Sequence, residues 1–286
     1  MENIKVIDIK SSEYPARLRE IPGPPQQLYC AGDISLLKAK SVGVVGSRKN
    51  TVYGKNVSMM IGRCIAESGL AVTSGLAMGI DAYSHEGALD AGGKVIGVLG
   101  SGIDRMGPAR NLALMKRGLE SGGLVVSEYP PDMPAGKYTF PERNRIISGL
   151  SEAVVVVEAD LDSGSLITAK HAAEQGRPVY AVPGNINSHS SMGTNLLIRD
   201  GAIPLVIIDD LIRDIGAEPA IRNGTALDLD SDEAKVFEAV RLLSGGTVDE
   251  IVRLSGLAPQ LVSSVITIME IKGIVESYAG RIYISR

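Results

Sequence analysis

Several residue types and features are scarce in this sequence, and each scarcity removes a class of protein. There is no tryptophan, and only two phenylalanines, two cysteines and three histidines occur among 286 residues. Cys30 and Cys64 stand far apart and outside any CxxC pair, which argues against a disulfide framework or a thiolate zinc site. Both read as reduced thiols in packing positions. His85, His171 and His189 read as structural or helix-end residues, and His85-Glu86 runs on into Gly87-Ala88-Leu89 without completing HExxH. No metal is expected. Long apolar runs are lacking too: the longest, 153–157 and 202–208, are strand-sized and far short of the about 20 residues a membrane helix needs. Residues 1–10 alternate apolar and charged without a hydrophobic stretch, so the sequence predicts no secretory signal, no membrane association and a cytoplasmic location. An excess of positive charge is missing as well. With a net charge of −4, any nucleic-acid partner has to be held by a local basic patch.

What is present is the composition of a globular protein, 44% hydrophobic and 22% charged, which leaves no room for long disorder. From residue 41 onward one phrase repeats: a short apolar strand, a Gly/Ser-rich turn and an amphipathic helix. Strands are predicted at Ser41–Val45, 70–73, Lys94–Leu99, Leu124–Ser127, 153–157, 179–182 and 202–207, with helices between them. Residues 153–157 are apolar at every position, as in a parallel strand covered on both faces, and should lie centrally. The fold class is therefore α/β, a Rossmann-like doubly wound and mainly parallel sheet over 41–215. Residues 1–40 do not join the pattern and read as irregular structure packed on the core. Periodicity lapses over 216–231, a linker, and resumes in 232–286 with three helical patterns and a hairpin turning near Ala279-Gly280. That order suits a small winged-helix domain.

Small residues crowd the carboxyl ends of successive strands: Gly46-Ser47-Arg48, Ser74-Gly75-Leu76-Ala77, Gly100-Ser101-Gly102 and Ser163-Gly164-Ser165. In a doubly wound sheet these ends share the edge where ligands bind, and backbone N–H groups at helix N-termini favour anions there. One such turn is explained by tight βα geometry alone. Four together, with Arg48 beside one and Lys170 beyond another, predict a phosphate-binding ridge. Gly43-Val44-Val45-Gly46 is not GxGxxG, and Gly54-Lys55-Asn56 lacks the rest of a Walker A loop, so no cofactor is expected. Asp81 and His85, one helical turn apart, could pair, and both read as structural.

Residues 137–145 place Phe140 between Lys137 and two arginines at the mouth of a predicted helix whose first position suits Pro141. A ring flanked by cations is a base-stacking platform with phosphate contacts, where stacking contributes ~1–3 kcal/mol per base. Equally, Phe140 could plug the core while the arginines pair with Glu128 or Glu158. The segment alone leaves both open.

Taken together these phrases resemble the DNA-processing protein A (DprA/Smf) family. The matching residues are Val45-Gly46-Ser47-Arg48 with Tyr53-Gly54, Ser74 through Asp81 with His85, Ser127-Glu128-Tyr129-Pro130, Phe140 through Ile146, Val157-Glu158-Ala159 with Ser163, Ser165 and Thr168, and Val182-Pro183-Gly184 with Asn195. The resemblance implies an extended Rossmann fold that binds single-stranded DNA, commonly as a homodimer, and delivers it to a RecA-type recombinase during DNA uptake. It implies no catalysis. Carried onto this chain, it places DNA at Ser47, Arg48, Gly75, Gly100, Ser101, Lys137, Phe140, Ser163, Gly164, Ser165 and Lys170. Arg143, Asn144 and Arg145 match the family motif without revealing which faces DNA and which braces the fold. Two departures stand out. Gly107-Pro108 replaces the family's usual Tyr-Pro, and these 286 residues lack the helical domain that precedes the core in many members, so a recombinase contact through that domain is not expected.

A competing class is a Rossmann-like nucleotide-binding or phosphoribohydrolase-type enzyme, with Glu158 as general acid or base at the ligand edge. Glu158 could equally cap a helix or pair with an arginine. Pro183-Gly184-Asn185-Ile186 does not continue as the PGGxGTxxE phrase such an enzyme needs. The winged helix, in turn, is not expected to read duplex DNA: its candidate recognition helix offers only Gln260 before Lys272. From residue 231 onward six basic residues face seven acidic ones, which suits a regulatory or protein-contact module.

Overall fold

The computed structural model describes residues 4–105, 107, 111–220, 230–243, 245–271, 274–278 and 280–284. Most of the expected linker, together with Pro108, Lys272 and Ala279, lies outside the described residues. The chain divides into two compact units, Met1–Ala220 and Ile221–Arg286.

The first unit is built on nine strands: β1 (Lys5–Asp8), β2 (Gln27–Gly32), β3 (Ser41–Val45), β4 (Ala71–Ser74), β5 (Lys94–Leu99), β6 (Leu124–Ser127), β7 (Ala153–Val156), β8 (Val179–Ala181) and β9 (Ile203–Pro204). Their order is β1-β2-β6-β5-β4-β3-β7-β8-β9, parallel throughout except where β2 pairs with β1 and β6. Among its described residues this unit has eight α-helices: α1 (Ala16–Arg19), α2 (Val52–Glu67), α3 (Ile80–Asp90), α4 (Leu112–Glu120), α5 (Thr139–Leu150), α6 (Gly164–Glu174), α7 (His189–Arg199) and α8 (Ile208–Asp214).

The apolar run of β7 follows from this layering. Val154 and Val156 enter a core shared with Val45, Ile96, Val126 and the α5 residues Ile146, Ile147 and Leu150. Val155 and Val157 enter another, with Val42, Val44, Val72 and the helical residues Ile61, Ile65 and Ile80. Alternate side chains thus reach opposite cores, and each fully buried valine contributes about 1.5–3 kcal/mol. β7 is interior, though third from the β9 edge rather than in the middle.

Two expectations are corrected. Residues 4–40 are not irregular throughout: β1 and β2 extend the sheet, and Leu18 and Ile21 cover α5, where a Cβ on Gly149 would fall 2.6 Å from Leu18. The predicted strand 202–207 shrinks to Ile203–Pro204. Pro204 has no N–H to give a ladder, which confines it to an edge, and Val206 and Ile207 are 77% and 57% exposed before α8 begins.

The second unit holds α9 (Ser231–Leu243), α10 (Val248–Ser255), α11 (Pro259–Ile271) and the hairpin β10 (Val275–Tyr278) with β11 (Arg281–Ile284). Thr247 and Glu250 form a capping box at the start of α10, and Gly256 ends it at φ 69°. Val236, Val240, Ile251, Val262, Ile266, Met269, Val275 and Ile282 make its core. Cys30 and Cys64 are buried and neither is in a disulfide. Among the described residues no single helix is long and apolar enough to cross a membrane.

Candidate nucleic-acid interface

Crossovers from β3 lead toward β4, β5 and β6, whereas those from β7 lead toward β8 and β9, so the winding direction reverses between β3 and β7. Loops leaving two such strands diverge and open a crevice at their carboxyl ends. Here the crevice is a cleft of ≈ 530 Å³, walled by Ser47, Arg48 and Lys49 after β3, by Ser163, Gly164, Ser165 and Thr168 around the start of α6, and by Lys137, Phe140 and Asn144 at the entry to α5.

Each wall has a local cause. The Ser47 N–H donates to the Glu158 carbonyl at 2.7 Å, and the Ile80 N–H donates to the Ser47 carbonyl at 3.2 Å. Gly79 makes that approach possible: at φ 84°, a Cβ would lie 2.3 Å from the Ser47 oxygen. The Glu158 carboxylate accepts from the Thr51 N–H at 2.9 Å and from the Thr51 hydroxyl at 2.6 Å, anchoring the start of α2. Both of its oxygens are engaged, and Gly54 sits so close that a Cβ would be 2.2 Å from Oε2. Glu158 is therefore a buried helix anchor.

At the start of α6, Ser163 Oγ lies 2.7 Å from Ser165 Oγ and accepts from the Ser165 N–H. Gly164 is exposed, and a Cβ there would meet nothing within 4 Å, so this N-terminus is open to an anion. Across the cleft the cations Arg48, Lys49 and Lys137 are exposed, and Arg48 Cζ lies 5.5 Å from the centroid of the Phe140 ring. Phe140 is half-buried, resting on Gly100, where a Cβ would fall 2.8 Å from its Cδ1. The ring thus packs on the core while part of its surface stays accessible. Asp160 and Asp162 line the cleft as exposed acids.

Beneath the cleft lies a charged knot. Arg143, only 3% exposed, donates to the carbonyls of Gly75, at 2.8 Å, and Val98. Burial pulls its pKa down to about 10, against the opposing pull of Asp81. Asp81 accepts from the Gly75 N–H at 3.0 Å, and burial raises its carboxyl although Arg143 works the other way. Arg143 is thus the cation that acts on Asp81, and His85 is fully buried on the same helix. Arg145 grips Glu128 with two hydrogen bonds of 2.9 and 2.7 Å and donates to the Gly23 carbonyl at 2.9 Å.

The structure thus gathers Ser47, Arg48, Lys137, Phe140, Asn144, Ser163, Gly164 and Ser165 around one cleft. Gly75, Gly100 and Ser101 are buried beneath it, and Arg143 and Arg145 brace the fold. Lys170 lines a different cavity of ≈ 400 Å³ with Arg177 and Ile203, and lies 3.8 Å from Glu174. Pro141 is the third residue of α5, not its first. Sequence reasoning missed Lys49 and Thr168, although Lys49 directly follows Arg48 in an exposed strand-end loop.

Comparison with known proteins agrees with this architecture. Residues 5–216 match the family profile described as DNA recombination-mediator protein A, and residues 222–281 match the DprA winged helix domain. Protein Smf of Escherichia coli is 42% identical over 213 residues, covering 74% of this chain and 57% of that protein. The chain therefore spans little more than half of that relative. DNA processing protein DprA of Bacillus subtilis is 41% identical over 215 residues, covering 75% of this chain and 72% of its own length. Among solved structures, DNA processing protein A from Streptococcus pneumoniae matches with a TM-score of 0.70 at 40% identity, covering 74% of this chain and 75% of the other. The protein of that name from Helicobacter pylori, whose structure concerns its single-stranded DNA binding mode, gives 0.66 at 30% identity, covering 74% and 96%. The profile match takes in all nine strands of the sheet and both walls of the cleft, and the chain belongs to the family of DNA recombination-mediator protein A.

Proposed function

We propose that this protein binds single-stranded DNA in the cleft between β3 and β7. The carrying observation is the Arg48 guanidinium over the Phe140 ring, with Lys137 on the same segment and the open N-terminus of α6 across the cleft. A half-exposed ring offers a stacking face that only an unpaired base can reach, while Arg48, Lys49, Lys137 and the α6 backbone receive the phosphates. Asp160 and Asp162 repel phosphate from their own rim and confine the backbone to the cationic side. An acid–base role for Glu158 is disfavoured because both carboxylate oxygens hold α2. The bound strand is delivered to a RecA-type recombinase, as the family resemblance implies, and the protein acts as a homodimer. Support for the dimer comes from the β9 edge, where Ile203, Val206 and Ile207 leave apolar surface beside unpaired backbone.

The test is a titration with oligo-dT, duplex DNA of equal length and nucleoside monophosphates at two salt concentrations. Preference for the single strand is expected, with a log–log salt slope of about 0.7 per neutralised phosphate. Equal affinity for duplex, or cleavage of a monophosphate, overturns the reading. For the partner, the protein should shorten the lag of RecA filament assembly on coated single strands, and light scattering at micromolar concentration should give twice the chain mass.

A further inference from the structure

A second cavity, of ≈ 410 Å³, adjoins the cleft, and Arg48 lines both. Its walls include Tyr83 and Glu86 from α3, with Asn50 and Asn111. None of these side chains serves the cleft. Tyr83 is half-buried, and Lys55 Nζ lies 5.2 Å from its ring centroid. The arrangement at Phe140, a ring at a cavity wall with a cation over it, therefore occurs again on the other side of Arg48. Both cavities fall within the range that holds small-molecule ligands. The partition between them is fixed by backbone, because a Cβ on Gly79 would lie 2.9 Å from the Arg48 Cα. Two carboxylates line the second cavity, but Asp90 is held by Arg117 at 2.7 Å. Glu86 is the carboxylate left to meet a ligand.

We propose that this cavity is a second nucleotide position on the same strand: the base stacks on Tyr83, Arg48 binds the phosphate joining the two nucleotides, and Glu86 accepts a hydrogen bond from the amino group of cytosine. The inference rests on the reading of the cleft as a single-stranded DNA site. A carboxylate accepts from the cytosine N4 amino group, whereas thymine turns a carbonyl oxygen toward it and is repelled. Base preference is therefore expected at the second position.

The experiment uses the full chain with oligo-dC and oligo-dT lengthened one nucleotide at a time from the mononucleotide, read by fluorescence anisotropy. Affinity should step upward when the second position fills, with the larger step in the dC series. Tyr83→Leu should remove about tenfold from that step, and Tyr83→Phe, which keeps the ring and the packing, should restore it. Glu86→Gln should bring the dC and dT series together, since an amide both accepts and donates. If no oligonucleotide binds, or Phe140→Leu leaves affinity unchanged, the cleft reading has failed. If the cleft binds but Tyr83→Leu matches the parent at every length, or Glu86→Gln leaves the dC-to-dT ratio as it was, the second position is overturned.

Discussion

Arg143 and Gly75 fill one another's space: the guanidinium donates to the Gly75 carbonyl at 2.8 Å, and a Cβ on Gly75 would fall 2.6 Å from its Nη2. The arginine whose place the sequence leaves open, facing DNA or bracing the fold, is thus tied to backbone from two strand ends. Arg143→Ala removes the donor to the buried Gly75 and Val98 carbonyls and the cation that opposes the burial of Asp81, a change worth about 1–3 kcal/mol. Chemical denaturation should show that loss, and Asp81→Asn in the same chain should recover part of it. An Arg143→Ala protein of parental stability that no longer binds single strands would reverse the assignment.

Surface cations and the stacking ring separate by salt. Arg48→Ala and Lys137→Ala should each lower the log–log salt slope by about 0.7, because each releases fewer counterions. Phe140→Leu keeps the filling over Gly100 and should weaken binding by ~1–3 kcal/mol with the slope unchanged. A change of slope for Phe140→Leu would mean that the ring acts by placing Arg48 rather than by stacking.

Legibility differed between elements for physical reasons. Parallel strands covered on both faces are near-continuous apolar runs, complete in β7 and interrupted only by Ser41 in β3 and Lys94 in β5, and these three announce themselves accordingly. β2 runs antiparallel and follows only the four-residue α1 and a proline-bearing turn, so it carries no βα signature. In the site, Arg48 and Phe140 were legible because a cation at a strand end and a ring among basic residues are local patterns. The buried roles of Arg143 and Arg145 were not, since their partners Gly75, Val98, Glu128 and Gly23 come from distant segments. Lys170 misled by helical phase: five residues after Ser165, it sits about 140° around α6 from the cleft.

His85 should leave a mark on the pH dependence of stability. Burial pushes its imidazole down to about 4 from an ordinary 6.5. Between those values the unfolded chain holds a proton that the folded chain refuses, so stability rises with pH. The contribution is complete above about 6.5 and falls by about 1.4 kcal/mol per pH unit as the solution is acidified toward 4. Asp81, with its carboxyl raised by burial, works in the opposite sense, losing stability as pH rises through its folded value. Comparing His85→Leu with the parent isolates the histidine: the variant's profile should be flatter over this window, and parallel profiles would refute the assignment.

The two units should divide the labour. A chain ending at Ala220 keeps every residue of the cleft and should retain most of the single-strand affinity. The winged helix, with six basic residues against seven acidic from 231 onward, should contribute little to phosphate binding. Specific duplex binding by a 221–286 fragment would show that it reads bases after all.

The antiparallel pairing of β2 with β6 has a consequence for how the chain is made. As synthesis proceeds, β2 emerges ahead of β3, β4 and β5, yet the strand it must join is produced after all three. β1 is its sole early neighbour, and a two-stranded ribbon is marginal in water. The sheet should therefore grow from its middle, with the strands translated first among the last secured. Leu28 and Cys30, fully covered in the finished protein, have only β1 as a strand neighbour until β6 has been made. Slower translation of residues 33–127 should prolong that wait and lower the yield of folded protein.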